Sequence, residues 1–219
     1  MPSQTEWDDA HRHLAALASS EPAKPYGALV HVTMREPHLG KVFSARGALA
    51  VDPHRALRMI LVGPGGSTAI DVWVTNDEWR FEVPPASIRR RGGADDDAAL
   101  PIGFFRWWFL GRTQGRLMTS EHGADGERLV LSSGGAVVDL IDVPAAEGHP
   151  HVITATRLGT GLSDRLEFHG VSFAPTAGDH ATYDDDTSGV HVEVEVEGPN
   201  GAPDPAAFAD PDAPARSSV

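Results

Sequence analysis

Over residues 42–83, apolar and polar side chains alternate in short runs separated by turn signals, the period of strands with one buried face. Phe43, Ala45, Gly47, Leu49 and Val51 alternate with Ser44, Arg46 and Ala48, and Asp52-Pro53 turns the chain toward Leu57, Met59 and Leu61. Gly63-Pro64-Gly65-Gly66 makes the next reversal. Ile70, Val72 and Val74 then share a face with Asp71 opposite, and Asn76-Asp77 leads into Trp79, Phe81 and Val83. The pattern predicts an antiparallel meander with one apolar face, which another sheet, helices or a ligand must cover.

The flanking segments extend this picture. Trp7, Ala10, Leu14 and Leu17 recur at helical spacing between Thr5, a candidate N-cap, and the Glu21-Pro22 break. Residues 26–34 read as a first strand. Pro101 and Gly111 bracket the densest aromatic run of the chain, Phe104-Phe105-Arg106-Trp107-Trp108-Phe109-Leu110, and suit a short helix. Strands follow over residues 116–120, 127–132, 136–143, 152–158 and 162–168. Val190, Val192, Val194 and Val196 alternate with His191, Glu193, Glu195 and Glu197 in the cleanest strand of all.

The expected organisation is a helix over residues 1–20 packing on the sheet, a single domain over 21–198, and a disordered acidic Pro/Ala tail over 199–219. With about ten or eleven strands, the fold class is mainly β (α+β). A large curved antiparallel sheet of that size closes into a barrel or stays open with helices on its concave side.

Charge and chemistry narrow the function. There are 31 acidic against 18 basic residues and a net charge of -13, which opposes a nucleic-acid partner because such binding neutralises phosphates with Lys and Arg. Arg89-Arg90-Arg91 is the one dense basic cluster. It can meet a lipid headgroup or a phosphate, or it is a solvated strand end neutralised by the Asp95-Asp96-Asp97 loop, and the chain can contact a membrane surface. The absence of cysteine excludes disulfides, thiolate metal sites and cysteine nucleophiles. No apolar run approaches the roughly 20 residues of a membrane helix, and no signal peptide is visible at Met1.

Catalytic and metal patterns are weak. His149-Pro150-His151 opens a strand beside a glycine turn, and His11 and His13 lie far apart around a helix axis, so no metal site is expected. Neither Ser132-Ser133-Gly134-Gly135 nor Gly161-Leu162-Ser163-Asp164 is a nucleophile elbow. Asp139 with Asp142, or Asp164 with Glu167, reads equally well as the polar side of a strand. Gly63-Pro64-Gly65-Gly66-Ser67-Thr68 lacks the lysine of a phosphate loop. A protein without catalysis or cofactor is expected.

The segment Gly47-Ala48-Leu49-Ala50-Val51-Asp52-Pro53, followed by Leu57-Arg58-Met59-Ile60-Leu61-Val62-Gly63-Pro64-Gly65-Gly66-Ser67-Thr68, resembles the core of the bacterial lipoprotein-localisation factors LolA and LolB. That superfamily has a G-x-h-x-h-x-x-P strand and turn before a strand ending in a Gly-Pro or Ser-Pro turn. The resemblance implies an open, strongly curved antiparallel sheet, an unclosed barrel, with an N-terminal helix and a central aromatic helix covering its concave face. It also implies a monomeric periplasmic or outer-membrane-associated carrier in a Gram-negative bacterium, whose hydrophobic cavity takes acyl chains of a lipid or lipoprotein. The cavity would be lined by Phe43, Leu49, Leu57, Met59, Leu61, Ile70, Val72, Val74, Trp79 and Phe81, with Phe104, Trp107, Trp108 and Leu110 as lid or wall. Asp52 stands before Pro53 where the carriers have a basic residue, and Gly65 stands where the receptors carry a protruding apolar one, so roles resting on those residues do not transfer. The lipidated cysteine of the anchored members is also missing from this chain. The same apolar face equally suits a fully packed core, in which case the domain is an interaction module that docks a protein partner through the 190–196 strand or the acidic tail.

Overall fold

The computed structural model describes residues 4–19, 21–35, 42–93, 102–110, 115–124, 126–134, 137–144, 151–159, 162–170, 176–185 and 189–213. Helix α1 (Gln4–Ser19) leads into β1 (Tyr26–Arg35), β2 (Val42–Asp52), β3 (Ala56–Val62), β4 (Thr68–Thr75), β5 (Glu78–Val83) and β6 (Ile88–Gly93). A helical insert, α2 (Ile102–Phe105) continuing as a π-type turn over Arg106–Leu110, precedes β7 (Arg116–Gly123), β8 (Gly126–Gly134), β9 (Val137–Pro144), β10 (His151–Gly159), β11 (Leu162–Gly170), β12 (His180–Asp185) and β13 (Val190–Pro199). The thirteen strands form one curved antiparallel sheet in the order β6-β5-β4-β3-β2-β1-β13-β12-β11-β10-β9-β8-β7.

Two meanders, β1–β6 and β7–β13, are therefore joined side by side through the pairing of β1 with β13. Among the described residues β6 and β7 remain as edges, so the sheet is open. Two of these strands went unread in the sequence, β6 because Arg89-Arg90-Arg91 looks like a charged strand end, and β12 because it offers only Ala181 and Tyr183 to the core.

Alternation sets the faces as the sequence predicts. Leu49 pairs with Met59, Met59 with Val72 and Val72 with Phe81, while Val51, Leu57, Val74 and Trp79 form a parallel row across the same four strands. Both rows lie on the concave side. The second meander adds Leu117, Leu129, Leu131, Ile141, Tyr183, Val192 and Val194 to the same buried cluster, and Trp7, Ala10, Leu14 and Leu17 of α1 close over it. Helix α1 starts at Gln4, one residue ahead of the predicted Thr5 cap.

Two glycine sites are dictated by the backbone. Gly65 and Gly66, in the turn between β3 and β4, have φ of 79° and 80°, the left-handed region that side chains disfavour. At Gly47 a Cβ would lie 1.9 Å from the Ile60 carbonyl oxygen, so β2 and β3 approach there more closely than any side chain permits.

The convex side departs from expectation. The 199–219 segment was expected to be a disordered tail with little to bury, yet Pro199 ends β13 and residues 200–213 are ordered against the outside of the first meander. A 3-10 turn over Pro205–Phe208, capped by the Asp204 side chain, sets Phe208 into this face, and the Trp73 indole donates to the Phe208 carbonyl at 3.2 Å. Single anchors outweigh composition here: one aromatic ring and one buried indole hold an otherwise Pro/Ala/Asp-rich stretch. Two acidic residues beyond it complete the contact. Arg91 makes a bidentate pair with Asp210 at 2.9 and 3.1 Å, and Arg89 pairs with Asp212. Arg89 and Arg91 of the cluster are thus neutralised from the C-terminal segment; the Asp95-Asp96-Asp97 loop expected in that role lies outside the described residues.

Beneath this segment Asp71, only 8% exposed, accepts from Arg58 at 2.9 and 3.1 Å and from Arg80 at 2.6 Å. Arg80 is 5% exposed and also reaches Glu82. A buried carboxylate shared by two arginines survives removal from water only with such complete pairing.

Gly47→Ala is expected to cost about 3 kcal/mol, since a methyl group is forced into a backbone carbonyl; urea unfolding measures it, and an unchanged midpoint would show that β2 and β3 are not held so close. Deleting residues 204–219 is expected to wet the Trp73 indole and red-shift tryptophan emission. A wild-type spectrum from the shortened chain would mean that Trp73 is covered by something else.

Candidate functional site

The concave side is built by strands and closed by the helical insert. Ile102, Phe105, Trp108 and Leu110 are buried, and Phe109 stacks on Trp108 with ring centroids 4.3 Å apart. Two hydrogen bonds to turns tether this segment. His54 Nδ1 donates to the Leu110 carbonyl at 3.1 Å, and Arg106 Nε donates to the Thr75 carbonyl at 2.9 Å. His54 follows the Asp52-Pro53 turn and adopts φ of 63°, while Asn76 from the β4–β5 turn donates to its carbonyl at 2.8 Å. The Pro turn that stood out in the sequence is therefore the dock for the end of the aromatic segment.

Leu49, Leu57, Met59, Leu61, Ile70, Val72, Val74, Trp79 and Phe81 come together in one buried cluster, as the alternation predicts, and Trp108 and Leu110 of the helical insert join them. Phe43 does not join them. It pairs with Met34 near the far ends of β2 and β1 and is 37% exposed. The side chains of Phe104 and Trp107 lie outside the described residues. Ala28, Val30 and Val32 of β1, and the buried residues of β7–β9, were not singled out in the sequence; they share the concave face because β1 sits at the centre of the sheet and β7–β9 at its other end.

Among the described residues, a cavity of about 10 Å³ lies where Tyr26, Pro53, His54, Trp108 and Phe109 meet. That is about the space of one water molecule. The aromatic segment packs on the concave side, with Ile102, Phe105, Trp108 and Leu110 in its buried cluster.

No family model matches the chain, and no curated protein matches it in sequence. Its structural relatives are clearer. The chain is similar to a LolA superfamily protein from Nitrosomonas europaea, with a TM-score of 0.56 and 12% identity over 92% of this chain and 97% of that one. A domain from Vibrio parahaemolyticus, proposed in its description to sort outer-membrane lipoproteins, gives a TM-score of 0.51 and 9% identity over 91% of this chain and 97% of its own. The chain has the LolA-like fold.

In this LolA-like fold the candidate carboxylate chemistry is dispersed. Asp139 and Asp142 are three residues apart on β9 and so face opposite sides, Asp139 buried beside Leu131 and Ile141, and Asp142 bonded to Arg128 at 2.6 and 3.0 Å. On the convex side, β1, β13 and β12 line a polar groove of about 520 Å³ with His31, Thr33, His180, Thr182, Glu193 and Glu195. Next to it His191 lies 2.6 Å from Asp184 and 3.1 Å from Glu193, with Arg35 opposite on β1. Burial by itself lowers the His191 pKa, but hydrogen bonds and charge from Asp184 and Glu193 outweigh it and raise the pKa above the ordinary value of 6.5.

A pKa raised on folding adds stability that is fully present below the unfolded value and is lost as pH rises through the folded one. His191→Gln is therefore expected to lower the denaturation midpoint most below about pH 6.5 and least in alkaline solution. A midpoint difference independent of pH would remove the imidazolium from the balance.

Proposed function

We propose that this protein is a non-catalytic binding or carrier protein that holds acyl chains of a lipid or lipoprotein against the concave face of its sheet. The observation that carries this reading is the form of the closure: apolar rows from both meanders face a helical insert that belongs to no strand and is tethered by hydrogen bonds to two turns. Swinging that segment outward exposes Leu49, Leu57, Met59, Val72 and Val74 without breaking a strand pair. An acyl chain then replaces Trp108 and its neighbours, and burial of the chain contributes about 25 cal/mol per Å². No covalent step is involved.

The likeness to a LolA superfamily protein supports the architecture this reading needs. A periplasmic or outer-membrane-associated setting and a monomeric state go with the proposal. Among the described residues no helix is long and apolar enough to cross a membrane. Membrane-surface contact falls to Arg90, which by its pairing with Phe81 stands on the concave side of edge strand β6, since Arg89 and Arg91 are engaged on the other face.

A second reading has its own observation. The concave residues are already buried in one cluster with Trp108 and Leu110, which favours a packed interaction module. Native mass spectrometry with organic extraction separates the two readings, a co-purified acyl ligand supporting the carrier. In titrations with a fluorescent fatty acid, Trp108→Glu is expected to weaken binding at least about tenfold, because a charge would then line an apolar site, with far-UV circular dichroism checking that the sheet persists. A clean protein mass together with no probe binding to the wild-type chain would make the interaction module the working reading.

A further inference from the structure

The β7–β8 hairpin places His122 and Glu127 directly opposite each other as a cross-strand pair. Helix α1 crosses above and adds His13, whose Nδ1 lies 2.5 Å from Glu127 Oε2. His122 Nε2 lies 3.3 Å from Glu127 Oε1. The three ligand atoms all fall within 4.8 Å of one another. The other oxygen of this carboxylate is unsatisfied: Glu127 Oε1 is buried and accepts no hydrogen bond. Leaving such a group without a hydrogen bond is costly, and among the described residues the groups around it are two imidazoles rather than a lysine or arginine.

We propose that His13, His122 and Glu127 form a site for a divalent transition-metal ion with the chemistry of Zn²⁺, and that the ion clamps α1 to the β7–β8 hairpin. Two imidazole nitrogens and one carboxylate form an established zinc donor set, with bonds of about 2.0–2.2 Å. Ligand atoms around a tetrahedral ion with such bonds stand about 3.3 Å apart. The His122–Glu127 pair already has this spacing. His13 is exposed on its helix and need only withdraw slightly from Glu127 Oε2 to match it. A water fills the fourth position, on the exposed side of both histidines.

The clamp acts where the fold is weakly closed. Only Ala10 of α1 is fully buried, and the helix meets the sheet mainly at β7. An ion bound across the helix and the hairpin holds this end of the concave side shut whatever that side contains, so the site stands independently of the acyl-binding reading. Sequence spacing did not reveal it, because the three ligands come from three elements and His122 was not among the histidines that the pairs drew attention to.

The test uses the full untagged chain and Co²⁺ as a spectroscopic stand-in for Zn²⁺. Expected are one bound equivalent with the visible absorption of a tetrahedral site, displacement by Zn²⁺, and slower amide exchange in α1 when Zn²⁺ is present. His122→Asn and Glu127→Gln should each weaken binding at least about tenfold. His13→Asn, on the exposed face of α1, supplies the same loss if a hairpin variant fails to fold, and His191→Asn should leave binding unchanged. No Co²⁺ binding by the wild-type chain, or equal binding by the His13, His122 and Glu127 variants, would overturn the proposal.

Discussion

The pairing of β1 with β13 is the constraint on which the rest of the structure depends. It joins strands from opposite ends of the chain, with Val30 beside Val196 and Val32 beside Val194, all buried. Without it there are two separate meanders, each with an apolar face and an unpaired edge. With it there is one sheet wide enough to curve around a shared core, and only β6 and β7 remain as edges among the described strands. The β-bulge between Leu29 and Val30 and the close approach of Gly27 to Gly201 fall at this junction, where a Cβ on Gly27 would meet the Gly201 carbonyl at 2.9 Å.

The two faces of the first meander are covered by different physics. On the concave side aliphatic rows meet aromatic rings, and the area removed from water dominates. On the convex side the layer is a chain segment with one aromatic anchor, and the contacts beneath it are charged: Asp71 between Arg58 and Arg80, then Asp210 and Asp212 against Arg89 and Arg91. Arg91 also lies over the Trp73 ring, 5.8 Å from its centroid. Exposed ion pairs of this kind contribute little one by one. Their arrangement gives direction instead, because Asp210 and Asp212 meet Arg91 and Arg89 in register along the edge strand β6.

Much of this fold was legible in the sequence because alternation is a local signal. Leu49, Met59, Val72 and Phe81 could be assigned to one face without knowing their partners, and the cross-strand register confirms the assignment. Phe43 fails that reasoning, at 37% exposed, because coverage of a strand end is not encoded in the strand itself. Strand β12 offers two inward residues among acids, and β6 offers arginines whose partners lie in the C-terminal segment. Phe208 is one ring in a Pro/Ala-rich stretch. Its meaning depends on Trp73, far away in the chain, so no window of sequence contains both. The concave surface was legible for the same reason as the strands, whereas its closure by Trp108 and the two turn tethers is tertiary.

The route of the C-terminal segment sets an order of events during synthesis. The first meander emerges from the ribosome long before Phe208, and until then Trp73 and the Asp71–Arg80 pair have no outer layer. The β1 edge also waits unpaired until β13 arrives. A nascent chain in this state carries an open strand edge and an uncovered convex face, the features that invite mispairing. Until β13 and the Phe208 segment have been made, neither the joined sheet nor the outer covering of Trp73 can form.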